Sequence, residues 1–424
     1  MIREYVNEKI NETIKVYNHK SGLKIFVCEK SDFSSAYAIF GTRYGSIDTK
    51  FRIKGQDFIE VPEGIAHYLE HKLFESEEQD AFARFAKTGA SANAFTSFDR
   101  TCYLFSCSSK FEDNFRILLD FVQHPYFTEE TVKKEQGIIG QEINMYDDNA
   151  GWRVLFNLLC ALYENHPVRI DIAGTIESIA KINAELLYDC YNTFYNLNNM
   201  FVCVAGNVNA QEVFDLCDEL LLDKEKIEIE RYMPDEPINV VKDKIEIQLP
   251  VSIPMFALGF KEECKTPVKT VREKVLTDIV LNCIFSQDGE LYKELFDKQL
   301  INENFGTEYF NGFGYSTVIV EGESNNPDEV RCLINEYIQK VKNKGISAED
   351  IERCIKVSYG GYVRSFNSVE NIVMNMVDNA FDETLPFEEL EILSSITPSD
   401  VNDRLKEILN IENSAISVVN KKEI

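Results

Sequence analysis

Apolar and polar positions along this chain switch repeatedly between the alternation of strands and the three-to-four spacing of helices. A short helix is expected at the start, followed by strands at Lys24-Ile25-Phe26-Val27-Cys28 and Ser35-Ala36-Tyr37-Ala38-Ile39-Phe40. Val61-Pro62-Glu63-Gly64 then punctuates the chain ahead of Ile65, Leu69, Leu73 and Phe74, whose spacing predicts a helix with one face in the core. Phe82 to Lys87 predicts a second short helix closed by Thr88-Gly89, and Cys102 to Cys107 an apolar strand. Helices are expected over Phe111 to Gln123, from a Thr128 cap onward, and over 151–165 and 183–196. Met200 to Val208 reads as a buried strand with a turn, and Ala210 to Leu222 as a closing helix.

A charged, proline-containing stretch from Asp223 to Asp243 interrupts this pattern, and afterwards the order begins again. Ile245 to Leu249 and Pro254 to Lys261 echo the two opening strands, and Val275 to Phe285 falls where the helix of Ile65 to Phe74 fell. The expected division is therefore a first domain over 1–225, a linker over 226–243 and a degenerate repeat over 244–424. A chain of 424 residues is long for one core and suits two.

Composition narrows the function classes. Hydrophobic content of 44% with 27% charged residues is that of an ordinary globular protein, and no apolar run approaches a membrane span. The start carries scattered charge and no apolar signal region, and eleven cysteines are scattered without a C-x-x-C pair, so a cytoplasmic location with reduced core thiols is expected. A formal charge of −27 argues against nucleic acid as a partner and suits an acidic wall that favours basic peptides.

The chemistry concentrates in Gly64-Ile65-Ala66-His67-Tyr68-Leu69-Glu70-His71-Lys72-Leu73-Phe74, whose core, H-x-x-E-H, inverts the zinc-protease helix motif. On a helix, His67 and His71 project from one side and can share one Zn²⁺ at about 2.0–2.1 Å. Glu70 is close enough to reach a metal-bound water without being forced onto the metal, which suits a general base. A third ligand is needed. His19, His124 and His166 are available, but the better spacing is in Glu135 and Glu142, seven apart and so on one helical face. Two carboxylates there can put one on the metal and one behind a ligand histidine.

These intervals resemble the pitrilysin family of inverted-zinc-motif metallopeptidases, which includes insulin-degrading enzyme and the mitochondrial processing peptidases. The resemblance implies His67, His71 and Glu142 as ligands of one Zn²⁺ per chain, Glu70 as general base and Glu135 as its supporting carboxylate. Phe40-Gly41-Thr42-Arg43-Tyr44-Gly45-Ser46 is similar to the family's first-strand signature. The segment from Ser91 to Thr101 looks like its edge strand, which pairs with extended substrate around Asn93 and Ala94. With Phe74 and Tyr315, these are the candidate substrate contacts. The implied fold is α+β: two homologous domains, each a mostly antiparallel sheet with helices packed on one side, together half of a clamshell chamber.

One stretch departs from that pattern. Self-sufficient family members present an Arg and a Tyr from a later domain, whereas Phe305 to Thr317 offers Tyr309 and Tyr315 and no Arg. This implies a heterodimer with a zinc-less homologous subunit that supplies the arginine, with a homodimer as the alternative. The expected activity is hydrolysis of short or unfolded peptides, with Glu70 activating a zinc-bound water; the competing expectation is a non-catalytic or chaperone-like subunit.

Overall fold

The computed structural model describes residues 1–77, 79–264 and 268–422. The chain opens with a hairpin of β1 (Ile2–Asn7) and β2 (Glu12–Asn18) where a helix was expected. The cause is alternation: Ile14 and Val16 are buried while Thr13, Lys15 and Tyr17 between them stay partly exposed, a period of two that only a strand can use. Next come β3 (Lys24–Glu29), β4 (Ala36–Thr42), β5 (Lys50–Ile53) and β6 (Ile59–Glu60), then α1 (Ile65–Leu73) and α2 (Ala81–Thr88). A second hairpin, β7 (Ser91–Thr96) and β8 (Thr101–Cys107), precedes α3 (Phe111–Gln123), α4 (Glu129–Asp147) and α5 (Ala150–Leu162). After α6 (Ile176–Ile179) and α7 (Ala184–Phe194), β9 (Met200–Gly206) and α8 (Ala210–Leu220) close the first pattern. The stretch 226–243 is more than a connector, because β10 (Ile229–Arg231) within it pairs with β5 and Arg231 Nε reaches Asp48 at 2.7 Å.

The second half follows as β11 (Lys244–Leu249), β12 (Met255–Lys261), α9 (Val271–Phe285), α10 (Glu290–Asp297), β13 (Gly306–Gly312) and β14 (Tyr315–Glu323). It ends with α11 (Pro327–Lys344), α12 (Ala348–Ser365), α13 (Val369–Asp382), α14 (Glu388–Ser395), α15 (Pro398–Glu407) and β15 (Ser414–Lys421).

Among the described residues the strands form a seven-stranded sheet, β1-β2-β3-β9-β4-β8-β7, a small sheet, β10-β5-β6, and a five-stranded sheet, β11-β15-β12-β14-β13. In the large sheet β3 and β9 run parallel and the remaining pairs antiparallel; in the five-stranded sheet β11 and β15 are the parallel pair. The order β3-β9-β4-β8-β7 and the order β11-β15-β12-β14-β13 are thus the same topology built twice, which is the α+β repeat expected from the sequence.

By contacts the chain divides into one compact unit of Met1–Ile143, Asp171–Tyr232 and Val363–Phe387, and another of Asn144–Ile170, Met233–Tyr362 and Glu388–Ile424. These units differ from a contiguous split at 226–243 in two segments. In the first unit, α1, α3, α7 and α8 pack with one sheet face (Ile25, Val27, Ala38, Phe40, Tyr103, Phe105, Val202, Val204) into a single core. The late helix α13 packs on β4 and β9, which are buried along their whole length. Coverage on both faces explains why Met200–Gly206 is a continuous apolar run rather than an alternation. In the second unit the early helix α5 takes the equivalent task against β12 and β15. Gly259 on β12 lets α5 approach closely: a Cβ would lie 2.6 Å from Leu162 Cδ1, which would have to shift.

Candidate active site

Helix α1 is fixed at both ends of its first turn by close backbone approaches. Gly64, its N-cap at φ 86°, would bring a Cβ to 2.3 Å from the Ala173 carbonyl oxygen, and a Cβ on Gly174 would lie 2.5 Å from that of Glu63. Both positions need glycine. Tyr68 and Leu69 are fully buried, and the Tyr68 hydroxyl donates to the Val132 carbonyl of α4. Val132 and Ile139 bury the neighbouring stripe of α4, so the face carrying Glu135 and Glu142 is turned to α1.

There the expected residues meet. The His67 and His71 rings are 4.6 Å apart, with Glu142 Oε1 3.7 Å from His67 Nε2 and Glu142 Oε2 3.4 Å from His71 Nε2. One donor atom from each of the three lies within 4.8 Å of the others. Ligands about 2.0–2.1 Å from a tetrahedral zinc sit roughly 3.3 Å from one another, so the donor set fits that ion with little adjustment. Behind His71, Glu135 Oε1 lies 3.1 Å from Nδ1 and orients the ring so that Nε2 faces Glu142. His67 Nδ1 is buried with no hydrogen-bond partner among the described residues.

The electrostatics follow from burial and crowding. Burial, with the His71 charge added, pushes His67 well below the ordinary imidazole range and keeps it neutral, as a ligand must be. Burial also pulls His71 down, but its hydrogen bond to Glu135 and the charges of Glu70 and Glu142 outweigh this and raise it. Glu135 is the mirror case: burial raises it, and His71 brings it below its usual value. Burial raises Glu70, opposed by hydrogen bonds from Thr96. A carboxyl raised by a dry pocket is better suited to exchange a proton near neutrality.

Glu70 Oε2 accepts the Thr96 hydroxyl at 2.7 Å. Thr96 belongs to β7, the outer strand of the seven-stranded sheet, paired on one side with β8. Thr96 lies within the edge segment expected from the sequence, which assigns it no task. The signal was its parity: Ala92 and Ala94, the alternate positions before it, pack on the core beside α1, and Thr96 continues that face. Asn93 is exposed on β7, and its Oδ1 accepts the Ala94 N–H at 2.9 Å.

Two expected substrate contacts are corrected. Phe74 is 6% exposed and stacks on Phe82 at 4.1 Å and Phe121 at 5.1 Å, so it is a core residue, a burial worth about 1.5–3 kcal/mol. Tyr315 is 3% exposed, packed against Phe310 at 5.0 Å and His166 at 5.3 Å. Among the described residues the remaining histidines join no metal-ligating cluster: His19 bonds Ser21, His124 faces Asp120, and His166 is held by Phe313 and Val168. No helix among the described residues is long and apolar enough to cross a membrane.

Comparison with known proteins agrees with this geometry. The family profile described as "Insulinase (Peptidase family M16)" matches residues 60–176, which contain the whole cluster, and "Peptidase M16 inactive domain" matches 181–357, which contain no histidine. The zinc protease YmfH of Bacillus subtilis is 40% identical over 415 residues, 96% of either chain. A solved M16-like peptidase of Alicyclobacillus acidocaldarius superposes with a TM-score of 0.93 at 35% identity, covering 97% of this chain and 99% of that one. The periplasmic protease PqqL of Escherichia coli shares the fold at 16% identity and a TM-score of 0.75; the match takes in 99% of this chain and 48% of PqqL. The chain belongs to the insulinase, or M16, family of zinc proteases.

Proposed function

We propose that the chain is a zinc metalloendopeptidase that hydrolyses short or unfolded peptides inside a chamber closed by pairing with a second chain. The observation that carries this reading is the convergence of His67, His71 and Glu142 within 4.8 Å, beside Glu70 and the outer strand β7.

His67, His71 and Glu142 would hold one Zn²⁺ per chain, which when bound supplies a Lewis acid for the scissile carbonyl and for water. Glu135 orients His71 through Nδ1 and fixes its tautomer. Glu70 takes the proton of the attacking water and delivers it to the leaving amine. The outer edge of β7, at Asn93 and Ala94, aligns an extended peptide by backbone pairing that is largely indifferent to sequence.

The partner in this reading is a zinc-less homologue that contributes an arginine and a tyrosine, with a second copy of the same chain as the alternative. Two features support it. β13 carries no arginine, and its Tyr309 hydroxyl is engaged by Glu262 at 2.8 Å. PqqL joins in one chain about twice the length matched here. The unpaired cysteines support the cytoplasm as the compartment.

The test is metal content together with cleavage of a quenched basic peptide, for the chain alone and mixed with a zinc-less homologue. One zinc per chain and hydrolysis only in the mixture is the expected result. Hydrolysis by the chain alone selects the homodimer, and neither zinc nor hydrolysis in any preparation selects a non-catalytic subunit.

A further inference from the structure

We propose that Thr96 is the positioning residue for Glu70: its hydroxyl holds one carboxylate oxygen and aims the other at the reacting water. The inference rests on the peptidase reading for the task of Glu70, and on geometry alone for the hydrogen bond.

A glutamate adjacent to His71 and about one turn after His67 has three rotatable bonds, and buried without a partner it would sample several orientations. Thr96 removes that freedom. Its Oγ1 is 2.7 Å from Glu70 Oε2. The hydroxyl is itself held in place. Thr96 Oγ1 lies 3.3 Å from Thr101 Oγ1, the residue paired with it across the hairpin, and Thr101 Oγ1 donates to the Tyr44 carbonyl at 2.9 Å. β-branching restricts χ1 at both threonines, so the Thr96 hydroxyl that donates to Glu70 is held by its own rotamer, packed beside a Thr101 oxygen whose proton goes to Tyr44.

The hairpin end that carries this chain is also secured. Ser97 N–H donates to the Arg100 carbonyl at 2.8 Å. Arg100 pairs with Asp99 at 2.9 Å and Asp378 of α13 at 2.9 Å, and lies 4.0 Å over the Phe381 ring. A reactive group is held best when its supports are themselves locked by packing and hydrogen bonds. Here a segment far along the chain braces the turn that sets the base.

The experiment uses the full chain, zinc-loaded and with whatever partner activity requires, as Thr96→Val and Thr96→Ser. Valine keeps the shape and the N–H and loses the hydroxyl. The expected result is a kcat lowered about 10- to 100-fold with KM and zinc content unchanged. Serine restores most of the loss. Crystal structures of both variants give a readout independent of activity: Glu70 is displaced or spread over several rotamers in Thr96→Val and sits in place in Thr96→Ser. An unmoved Glu70 in the valine variant, an undiminished kcat, or a serine variant as impaired as the valine one overturns the proposal. If Glu70→Gln itself leaves hydrolysis intact, the base assignment falls, and the crystal structures still decide whether Thr96 orients Glu70.

Discussion

The fold contains two clefts built on one scaffold, and they differ in how their charges are completed. In the first unit, α1 comes after β4 with the short β5 and β6 between them and faces β7; in the second, α9 follows β12 directly and faces β13. The first cleft collects His67, His71, Glu70, Glu135 and Glu142; among the described residues His67 Nδ1 has no partner, and one imidazole–carboxylate pair is as loose as 3.7 Å. The second holds a closed network of Glu262, Arg404, Lys269, Tyr309, Ser316 and Thr277, and Asp278 and Glu308 lie outside that network with their carboxyls raised by burial. Glu262 grips Arg404 through both oxygens at 2.7 and 2.9 Å, and takes Lys269 at 2.8 Å, Tyr309 at 2.8 Å and Ser316 at 2.9 Å. Arg404 Nε adds Thr277 at 2.9 Å. A buried polar network whose members satisfy one another rigidifies a core, whereas donors that converge without completing one another await a ligand. Charge content alone does not separate the two clefts; closure of the network does.

The largest effects should come from the open cleft. Glu70→Gln is expected to lower kcat by about 10²–10⁴-fold while zinc stays bound, and Glu142→Gln to lose zinc and hydrolysis together. On α9, Asp278 and Asn282 are spaced as His67 and His71 are on α1, in a cavity of about 440 Å³ with Glu308 of β13. Asn282→Ala should leave zinc content and kcat as they are. Zinc loss from the Asn282 variant, or a full zinc load in Glu142→Gln, would break the contrast; plasma emission and peptide kinetics measure both.

Much of this was legible in the chain. The helix of His67 and His71 and the helix of Glu135 and Glu142 were given by apolar periodicity, and their meeting by the resemblance to a family whose third ligand lies on such a helix. The repeat was visible because strand order restarts after 243, and the sheets show it as one topology used twice. What was hidden depends on partners distant in sequence. Apolar spacing cannot tell that α5 packs with β12, or that α13 packs with β4 and β9. Phe74 and Tyr315 are aromatic residues beside a glycine-rich or catalytic stretch, and only the contacts with Phe82, Phe121, Phe310 and His166 show that they are packing. Thr96 was hidden for a different reason: its importance lies in one hydrogen bond across 26 residues.

The closed cleft should answer in stability rather than in activity. Glu262→Gln leaves Lys269 buried without its counter-charge and Arg404 with only the exposed Glu407, at a cost of about 3 kcal/mol, read as a lower midpoint of denaturant unfolding with zinc content unchanged. A pH signature accompanies it. Burial raises the Glu262 carboxyl, but Arg404 and Lys269 outweigh burial and hold it at about 2, below its ordinary 4.5. Because the folded value is the lower one, the stabilisation is complete above about pH 4.5 and is lost as pH falls through 2. Wild-type stability should fall across that interval more steeply than that of Glu262→Gln. Equal slopes would mean that the ion cluster is not what closes the second cleft.

A smaller effect tests the helix that crosses each sheet. Gly259→Val drives its side chain into Leu162 and Leu158 of α5 and should cost about 1–3 kcal/mol, seen as a lower melting temperature. A neutral result would mean that α5 can lift from β12 without penalty.

The smallest effect bears on whether this chain supplies its own substrate tyrosine. In the structure the Tyr309 hydroxyl is occupied three times over, donating to Glu262 Oε2 and meeting Ser316 Oγ at 3.0 Å and Arg404 Nη2 at 2.9 Å. A hydroxyl so engaged serves the closed network, and freeing it for a peptide would leave Glu262 and Arg404 short of a partner. Tyr309→Phe should therefore cost about 1 kcal/mol of stability, the ordinary net worth of a buried hydrogen bond, and leave KM and kcat for the quenched peptide unchanged. A raised KM with unaltered stability would reverse the assignment. It would move Tyr309 from the closed cleft to the substrate path and remove one of the two supports for a partner that brings the tyrosine and arginine from outside.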